Sequence, residues 1–166
     1  MPVSELMRKA LAEAEKSEGF RCTALGPLVI AVFDRASNGQ VAEAMGRVLA
    51  QTARANPTLA ILTVVGPECT VPDSSVRNRL TSDVKTIQKQ LVAAVTVIEG
   101  SGFRTAAVRA AVTGMTLLLK VSSYPAKTFA TVPEAGSFLA GIVSLSADDI
   151  ADAVKKLRAA GSSPDE

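Results

Sequence analysis

The chain of 166 residues is 48% hydrophobic and 20% charged, a composition typical of one globular domain with a single core. Eighteen basic and sixteen acidic residues leave a net charge of +2, which is too small and too dispersed for a nucleic-acid-binding protein. The sequence has no histidine, which excludes catalysis by a histidine base and zinc sites with histidine ligands, and we expect no metal site and no cofactor.

The first residues and the cysteines favour a cytoplasmic protein. Residues 1–20 alternate charged with apolar side chains and lack the continuous apolar core of a signal peptide. No window approaches the roughly 18 apolar residues of a membrane-spanning helix, so we expect no integral membrane association. Cys22 and Cys69 lack the spacing of metal ligands, and we interpret both as buried apolar residues rather than as a disulfide or a metal pair.

The predicted elements begin with a helix and a hairpin. Apolar spacing predicts an amphipathic helix over residues 4–16, which Gly19 ends in a left-handed cap. The apolar runs at residues 20–25 and 28–33 are separated by a Gly-Pro pair. These two runs predict strands joined by a tight turn.

The middle of the chain alternates helices with buried strands. The spacing from Ser37 to Gln40 is that of a capping box, and the helix it begins should stop before Pro57. The continuously apolar runs at residues 59–65 and 92–98 predict strands covered on both faces. These two strands should lie in the interior of the sheet.

Two further amphipathic helices accompany these strands. One has apolar residues at helical spacing from Val76 to Leu91. The other covers residues 103–119 and places on one face Val108, Ala111, Val112, Met115 and Leu119.

The last elements complete an alternating pattern of strands and helices. They are a short strand at residues 126–132, a helix from Pro133 and a final helix capped by Ser146. Strands that alternate with helices imply βαβ crossovers and parallel pairing. We therefore predict a single-domain α/β fold whose mixed, mostly parallel sheet has four to five strands and is flanked by helices.

The segment Gly100-Ser101-Gly102 joins a predicted strand to a helix. It lacks the lysine and hydroxyl spacing of a Walker loop and the third glycine of a dinucleotide-binding fingerprint. We therefore expect a corner that needs glycine torsions. The alternative is a weak anion site at the helix N-terminus, assisted by Arg104 or Arg109.

The stretch VPDSSVRNRL places Asp73, Ser74, Ser75 and Arg77 at a predicted helix start. Asp73 or Ser74 can cap this helix by accepting a hydrogen bond from its first turn. An exposed serine at a helix start is also a place where an added phosphate is electrostatically favoured and changes a docking surface. These four residues are a candidate partner surface, with Ser74 as the candidate phosphoacceptor.

The apolar helix end TGMTLLLKVSSYP is a third feature. Its three consecutive leucines cannot all face one sheet, because successive helical residues are about 100° apart. Contact with the core or with a neighbouring helix is the simplest interpretation. The alternatives are a homodimer interface and an apolar groove formed by Met115, Leu118 and Val121.

When the segments described above are considered together, residues 20–143 resemble the STAS domain of anti-sigma-factor antagonists. The order of elements, the Asp-Ser-Ser helix start and the ending YPAKTFATVPEAGSFL are similar to its SpoIIAA-like, or STAS-like, branch. The resemblance implies a STAS-like domain at residues 20–145. The predicted N-terminal helix in residues 1–19 and the predicted C-terminal helix and tail in residues 146–166 lie outside the resemblance. It also implies a kinship in fold with lipid-carrying domains.

The resemblance further implies a protein partner and a phosphoacceptor serine that follows an aspartate, which by position falls on Ser74 after Asp73. Val76 stands where the family has glycine, so a docking surface at residues 73–79, rather than phosphorylation itself, is the expectation. The leading hypothesis is thus a non-enzymatic regulatory module that binds another protein. Such a module resembles the anti-sigma-factor antagonists.

Two other functions remain open. The first is a carrier or sensor of a small apolar or lipid-like ligand, bound near residues 115–121. The second is an enzyme that uses Asp34 and Glu99, because ligands of open α/β sheets bind at the carboxyl ends of strands. Isolated carboxylates at such positions are more often caps or solvated charges, so the enzyme is the least favoured of the three.

Overall fold

The computed structural model describes residues 1–35, 38–118 and 124–160, with the side chains of 116–118 left out. Within these residues the chain forms a six-stranded mixed sheet flanked by six helices. The strands are β1 Glu15–Ser17, β2 Phe20–Leu25, β3 Leu28–Phe33, β4 Leu59–Val65, β5 Leu91–Ile98 and β6 Ala126–Phe129. The helices are α1 Val3–Ala12, α2 Gly39–Ala55, α3 Ser74–Ile87, α4 Phe103–Leu118, α5 Val132–Ala140 and α6 Ala147–Ala159.

The strands lie in the sheet in chain order, from β1 to β6. The pairs β1–β2 and β2–β3 are antiparallel, and the pairs from β3 to β6 are parallel. The predicted α/β class, the antiparallel edge and the interior positions of β4 and β5 are confirmed. The predicted count of four to five strands is wrong, because β1 adds a sixth.

Strand β1 overlaps the end of the segment that was predicted as the first helix. Helix α1 ends at Ala12, and residues 15–17 turn back to pair with β2. Gly19 lies in the turn between β1 and β2 with φ +69°, so its predicted role as a helix cap is wrong. A Cβ at Gly19 would lie 2.5 Å from the Cβ of Arg35, which makes glycine necessary there.

The apolar side chains form two layers, one on each face of the sheet. Helices α2, α3 and α4 cover one face, and α1, α5 and α6 cover the other. Side chains of a strand alternate between the layers, so that Ile61 contacts the first and Leu62 the second. This double cover explains why the central strands are apolar without interruption.

Two helix boundaries differ from the predictions. Helix α3 ends at Ile87 and Leu91 begins β5, because the Gln90 amide donates to the carbonyls of Ala53 and Asn56 at 2.8 and 3.0 Å and fixes the turn between the two elements. The N-cap of α2 is Asn38, whose side chain accepts from the Val41 amide at 3.1 Å.

The predicted capping box at Ser37 names a residue outside the described ranges. The other predicted caps agree with the structure, and the Ser146 hydroxyl accepts from the Asp149 amide at 3.0 Å. None of the described helices is both long and apolar enough to cross a membrane.

Candidate functional site

A largely apolar cavity of about 160 Å³ lies between the α2–α4 face of the sheet and helices α3 and α4. Strands β3, β4 and β5 form its floor, and α3 and α4 form its walls. The apolar lining residues include Phe33, Met45, Ile61, Val65, Leu80, Val84, Ala94, Val108, Ala111, Val112 and Met115.

The cavity exists because short side chains face each other across the layer. On β5, Ala94 and Thr96 point toward α4 and are only half-buried, whereas Val95 between them is 1% exposed on the opposite face. On α4, Ala111 faces the same space and Met115 is half-buried. Alanine on both sides leaves a gap that the longer neighbours do not close.

One polar side chain of the cavity wall lacks a hydrogen-bond partner among the described residues. Thr81 on α3 is 7% exposed, and its hydroxyl oxygen is buried with no hydrogen-bond partner among the described residues. A buried hydroxyl without a partner costs about 1–3 kcal/mol. Thr63 and Thr96 also line the cavity and are register partners on β4 and β5. The cavity therefore combines apolar walls with a few hydroxyl groups, the usual composition of a small-molecule site.

Cys69 lines one side of this cavity. Burial raises the pKa of its thiol to about 11, and the charge of Asp34 adds to this effect. The thiol donates a hydrogen bond to the Arg35 carbonyl, with Sγ 3.0 Å from the oxygen. Cys69 is thus a neutral wall residue near pH 7 rather than a nucleophile. Cys22 and Cys69 are both buried and free, as interpreted from the sequence.

Of the residues proposed for an apolar groove, Met115 lines the cavity. The side chain of Leu118 and the whole of Val121 lie outside the description. The groove as predicted, with these three residues together, therefore stays a prediction. What the structure adds is a cavity on the inner side of α4, lined by residues 108–115 of that helix.

The candidate partner surface at the start of α3 is mostly tied into local structure. Asp73 is the N-cap: its carboxylate accepts from the Val76 amide at 3.0 Å and from the Ser75 hydroxyl at 2.6 Å. The hydrogen bond from Ser75, aided by the Val76 amide, lowers the pKa of Asp73. Arg77 donates to the Pro72 carbonyl at 2.7 Å.

Ser74 is the first residue of α3 and is exposed. Its hydroxyl makes no hydrogen bond to any other residue that the structure describes. The structure thus separates the two roles that the sequence left open, because Asp73 caps the helix and Ser74 presents its hydroxyl to solvent.

Gly100, Ser101 and Gly102 form the corner between β5 and α4. Gly100 and Gly102 have φ of +91° and +95°, torsions that only glycine adopts readily. A Cβ at Gly100 would also lie 2.8 Å from the Cβ of Pro67. The corner interpretation agrees with these torsions. The alternative anion site stays a prediction, and Arg104, proposed to assist it, pairs with Glu68 at 3.1 Å.

The sequence analysis did not predict an ionic cluster that lies at the ends of β3 and β5. Arg158 of α6 donates to Asp34 at 3.0 Å and to Glu99 at 3.1 Å, and a second contact joins Arg158 to Glu99. These hydrogen bonds, first of all those to Glu99, raise the pKa of Arg158. The two carboxylates named in the enzyme hypothesis are therefore close together and held by one guanidinium.

No group of three or more potential metal ligands gathers within the described ranges. No family model, no curated protein and no solved structure matches this chain. The candidate functional site is thus defined by its own geometry, and the apolar cavity is its best-formed part.

Thr81 and Arg158 are the residues that sequence reasoning missed. Thr81 had one signal, its place beside Leu80 on the inner side of an amphipathic helix, whereas Arg158 had none.

Proposed function

We propose that this protein is a non-enzymatic carrier or sensor of a small, largely apolar ligand held in the cavity beneath α3 and α4. The observation that carries the proposal is the buried Thr81 hydroxyl in a largely apolar lining, which has no hydrogen-bond partner among the described residues. A ligand with one hydrogen-bonding group would satisfy that hydroxyl and fill the gap beside it. Both effects favour binding, because each removes a cost that the empty protein carries.

The cavity volume limits the size of the ligand. An engineered apolar cavity of about 150 Å³ in another protein stays dry and binds benzene. The cavity here, about 160 Å³, suits a single ring or a short acyl chain of similar bulk. Burial of such a ligand contributes roughly 25 cal/mol per Å² of apolar surface, and the hydroxyl sets its orientation.

The test uses phenol and toluene, which have similar shapes but differ in one hydroxyl group. Both should bind the wild-type protein, and NMR of the methyl groups that line the cavity measures each affinity. Ala94→Leu or Ala111→Leu fills the cavity from opposite walls and should abolish binding of both probes. Two filling variants on opposite walls are used as a control for overpacking of the layer by either one alone.

Thr81→Val replaces the hydroxyl by a methyl group of the same size. It should weaken phenol by about fivefold relative to toluene and leave the fold intact, because a buried hydrogen bond contributes on the order of 1 kcal/mol. Thr86→Val, an exposed position on the same helix, is the matched control and should change neither affinity. Failure of both probes to bind, or equal binding by the filled variants, would contradict the proposal.

A second candidate function is the regulatory protein-interaction module that resembles anti-sigma-factor antagonists. One observation favours it: the Ser74 hydroxyl is exposed at the start of α3 while the side chains around it are occupied. Helix α3 also provides Leu80, Thr81 and Val84 to the cavity wall. A ligand that moves α3 would therefore alter the docking surface at its N-terminus, so the two functions are compatible.

A further inference from the structure

A broad open groove of about 1340 Å³ lies on the opposite face of the sheet, between the β1–β2 hairpin, the carboxyl ends of the strands and helix α6. Five cationic side chains and three anionic side chains line it. It is formed by elements of the α5–α6 face and shares no lining residue with the apolar cavity. It therefore does not depend on the function proposed for that cavity.

The anionic side chains of this groove are all held in ion pairs. Glu18 pairs with Arg35 at 2.7 Å, and Asp34 and Glu99 share Arg158. The remaining cations are Lys16, Arg21 and Lys155, and none of them forms an ion pair with any residue in the described ranges. With five cations and three anions, the groove has an excess of two positive charges.

The arrangement of these cations is unfavourable in the empty protein. Lys16 of β1 and Arg21 of β2 are register partners in an antiparallel pair, so their side chains lie side by side on one face of the sheet. Like charges directly opposite each other destabilise a sheet. The Arg21 Nε is also buried with no hydrogen-bond partner in the part of the chain that the structure describes.

We propose that this groove binds a phosphate-bearing small molecule through Lys16, Arg21 and Lys155. A multiply charged phosphate group neutralises the repulsion between the two strands and supplies an acceptor for the buried Arg21 Nε. Ser17 also lines this groove. Val132, Pro133 and Val154 provide an apolar wall for the organic part of the ligand.

The experiment titrates the full-length protein with inorganic pyrophosphate and follows backbone NMR signals. Signals of Lys16, Arg21 and Lys155 should shift together and saturate. Lys16→Gln and Lys155→Gln should each lower the affinity by about tenfold, since each removes one charge-assisted contact. Lys85→Gln and Lys89→Gln, exposed lysines at the far end of α3, make the same charge change outside the groove and should have little effect.

Thermal unfolding separates lost binding from lost folding. Lys16→Gln removes the repulsion with Arg21, so this variant should melt at or above the wild-type temperature and yet gain less stability than the wild type from the same concentration of pyrophosphate. Citrate, with similar charge but only carboxylates, should bind at least tenfold more weakly. Equal affinity for citrate, equal effects of the control lysines or an unsaturated titration would overturn the proposal.

Discussion

At the start of α3, a single carboxylate performs the capping that two neighbouring side chains could have performed. Asp73 has extended torsions, φ −65° and ψ 169°, and its carboxylate meets the Val76 amide and the Ser75 hydroxyl. Ser74 is already inside the helix, where its side chain cannot reach the amides of the first turn in the same way. The residue before the first helical residue becomes the cap. The pattern of residue types does not fix that boundary to better than one position, so it does not choose between Asp73 and Ser74.

This assignment predicts opposite sensitivities for two adjacent residues. Asp73→Ala should lower the melting temperature by roughly 2–4 °C, because the amides of the first turn lose their acceptor. Ser74→Ala should leave the melting temperature nearly unchanged. Calorimetry at pH 7 measures both, and a larger loss for Ser74→Ala would show that the cap is assigned to the wrong residue.

The same pair of variants extends to the regulatory hypothesis. Ser74→Asp should keep the fold and weaken binding of a captured protein partner, because a new negative charge must be repelled or desolvated at the docking surface. Ser74→Ala should retain that partner. Equal affinities of the wild type and both variants would remove Ser74 from any switch.

Among the secondary-structure elements, β4 lies in the interior of the sheet, between β3 and β5. Leu62 on β4 is the register partner of Ile30 on β3 and of Val95 on β5, and all three are at most 1% exposed. Their side chains enter the layer covered by α5 and α6. A charge at this position has no partner and no route to water.

Leu62→Asp should therefore abolish the cooperative unfolding transition, because burial of an unpaired carboxylate costs several kcal/mol, comparable to the whole stability of a domain. Lys127→Asp on the exposed edge strand β6 also introduces an aspartate and should remain folded. Circular dichroism during urea unfolding distinguishes the two. A cooperative transition of Leu62→Asp near that of the wild type would contradict the central position of β4.

Strand β1 and helix α4 show how the elements depend on their neighbours. The residues of β1 are Glu, Lys and Ser, which carry little strand propensity, and pairing with β2 is what makes them a strand. Helix α4 was predicted from its apolar spacing, but its small residues leave the cavity beneath it. Local pattern thus identified the helix, whereas the space under it depends on what the sheet presents opposite.

At the scale of the whole molecule, the fold keeps both thiols neutral. Burial raises the pKa of Cys69 to about 11 and raises that of Cys22 well beyond its usual range. The two residues belong to the same apolar layer, the one covered by α2, α3 and α4. Ionisation of either thiol would place a charge inside this apolar layer, so the folded protein disfavours the thiolate form.

The stability of the protein should consequently fall in alkaline solution. The unfolded thiols lose their protons near pH 8.5, below the folded pKa values, so the unfolded state releases protons first as the pH rises. The contribution is complete below about pH 8.5 and is progressively lost as the pH approaches the folded value for Cys69, about 11. Urea unfolding between pH 7 and 9.5 should show this decline, and Cys69→Ala should make it shallower. An unchanged slope in that variant would exclude Cys69 as a source.

The sequence by itself determined the α/β class, the order of nearly all elements, the buried faces of α2 and α4 and the cap at Ser146, and it narrowed the cap of α3 to Asp73 or Ser74. These features follow from periods of two and 3.6 residues and from short-range capping, which involve residues close along the chain. Val41, Met45 and Leu49, for example, share one face of a helix wherever that helix lies, and all three are buried. The STAS-like resemblance belongs to the same level and stays a hypothesis about function.

Only the tertiary structure decided which distant side chains meet. Arg158 contacts Asp34 and Glu99 across separations of 124 and 59 residues, and Lys16 faces Arg21 because β1 turns back on β2. The cavity at Thr81 likewise requires α3, α4 and β5 to approach each other with short side chains at the contact. Such encounters depend on strand order, register and the volumes of facing side chains, which are properties of the packed molecule and have no local signature in the sequence.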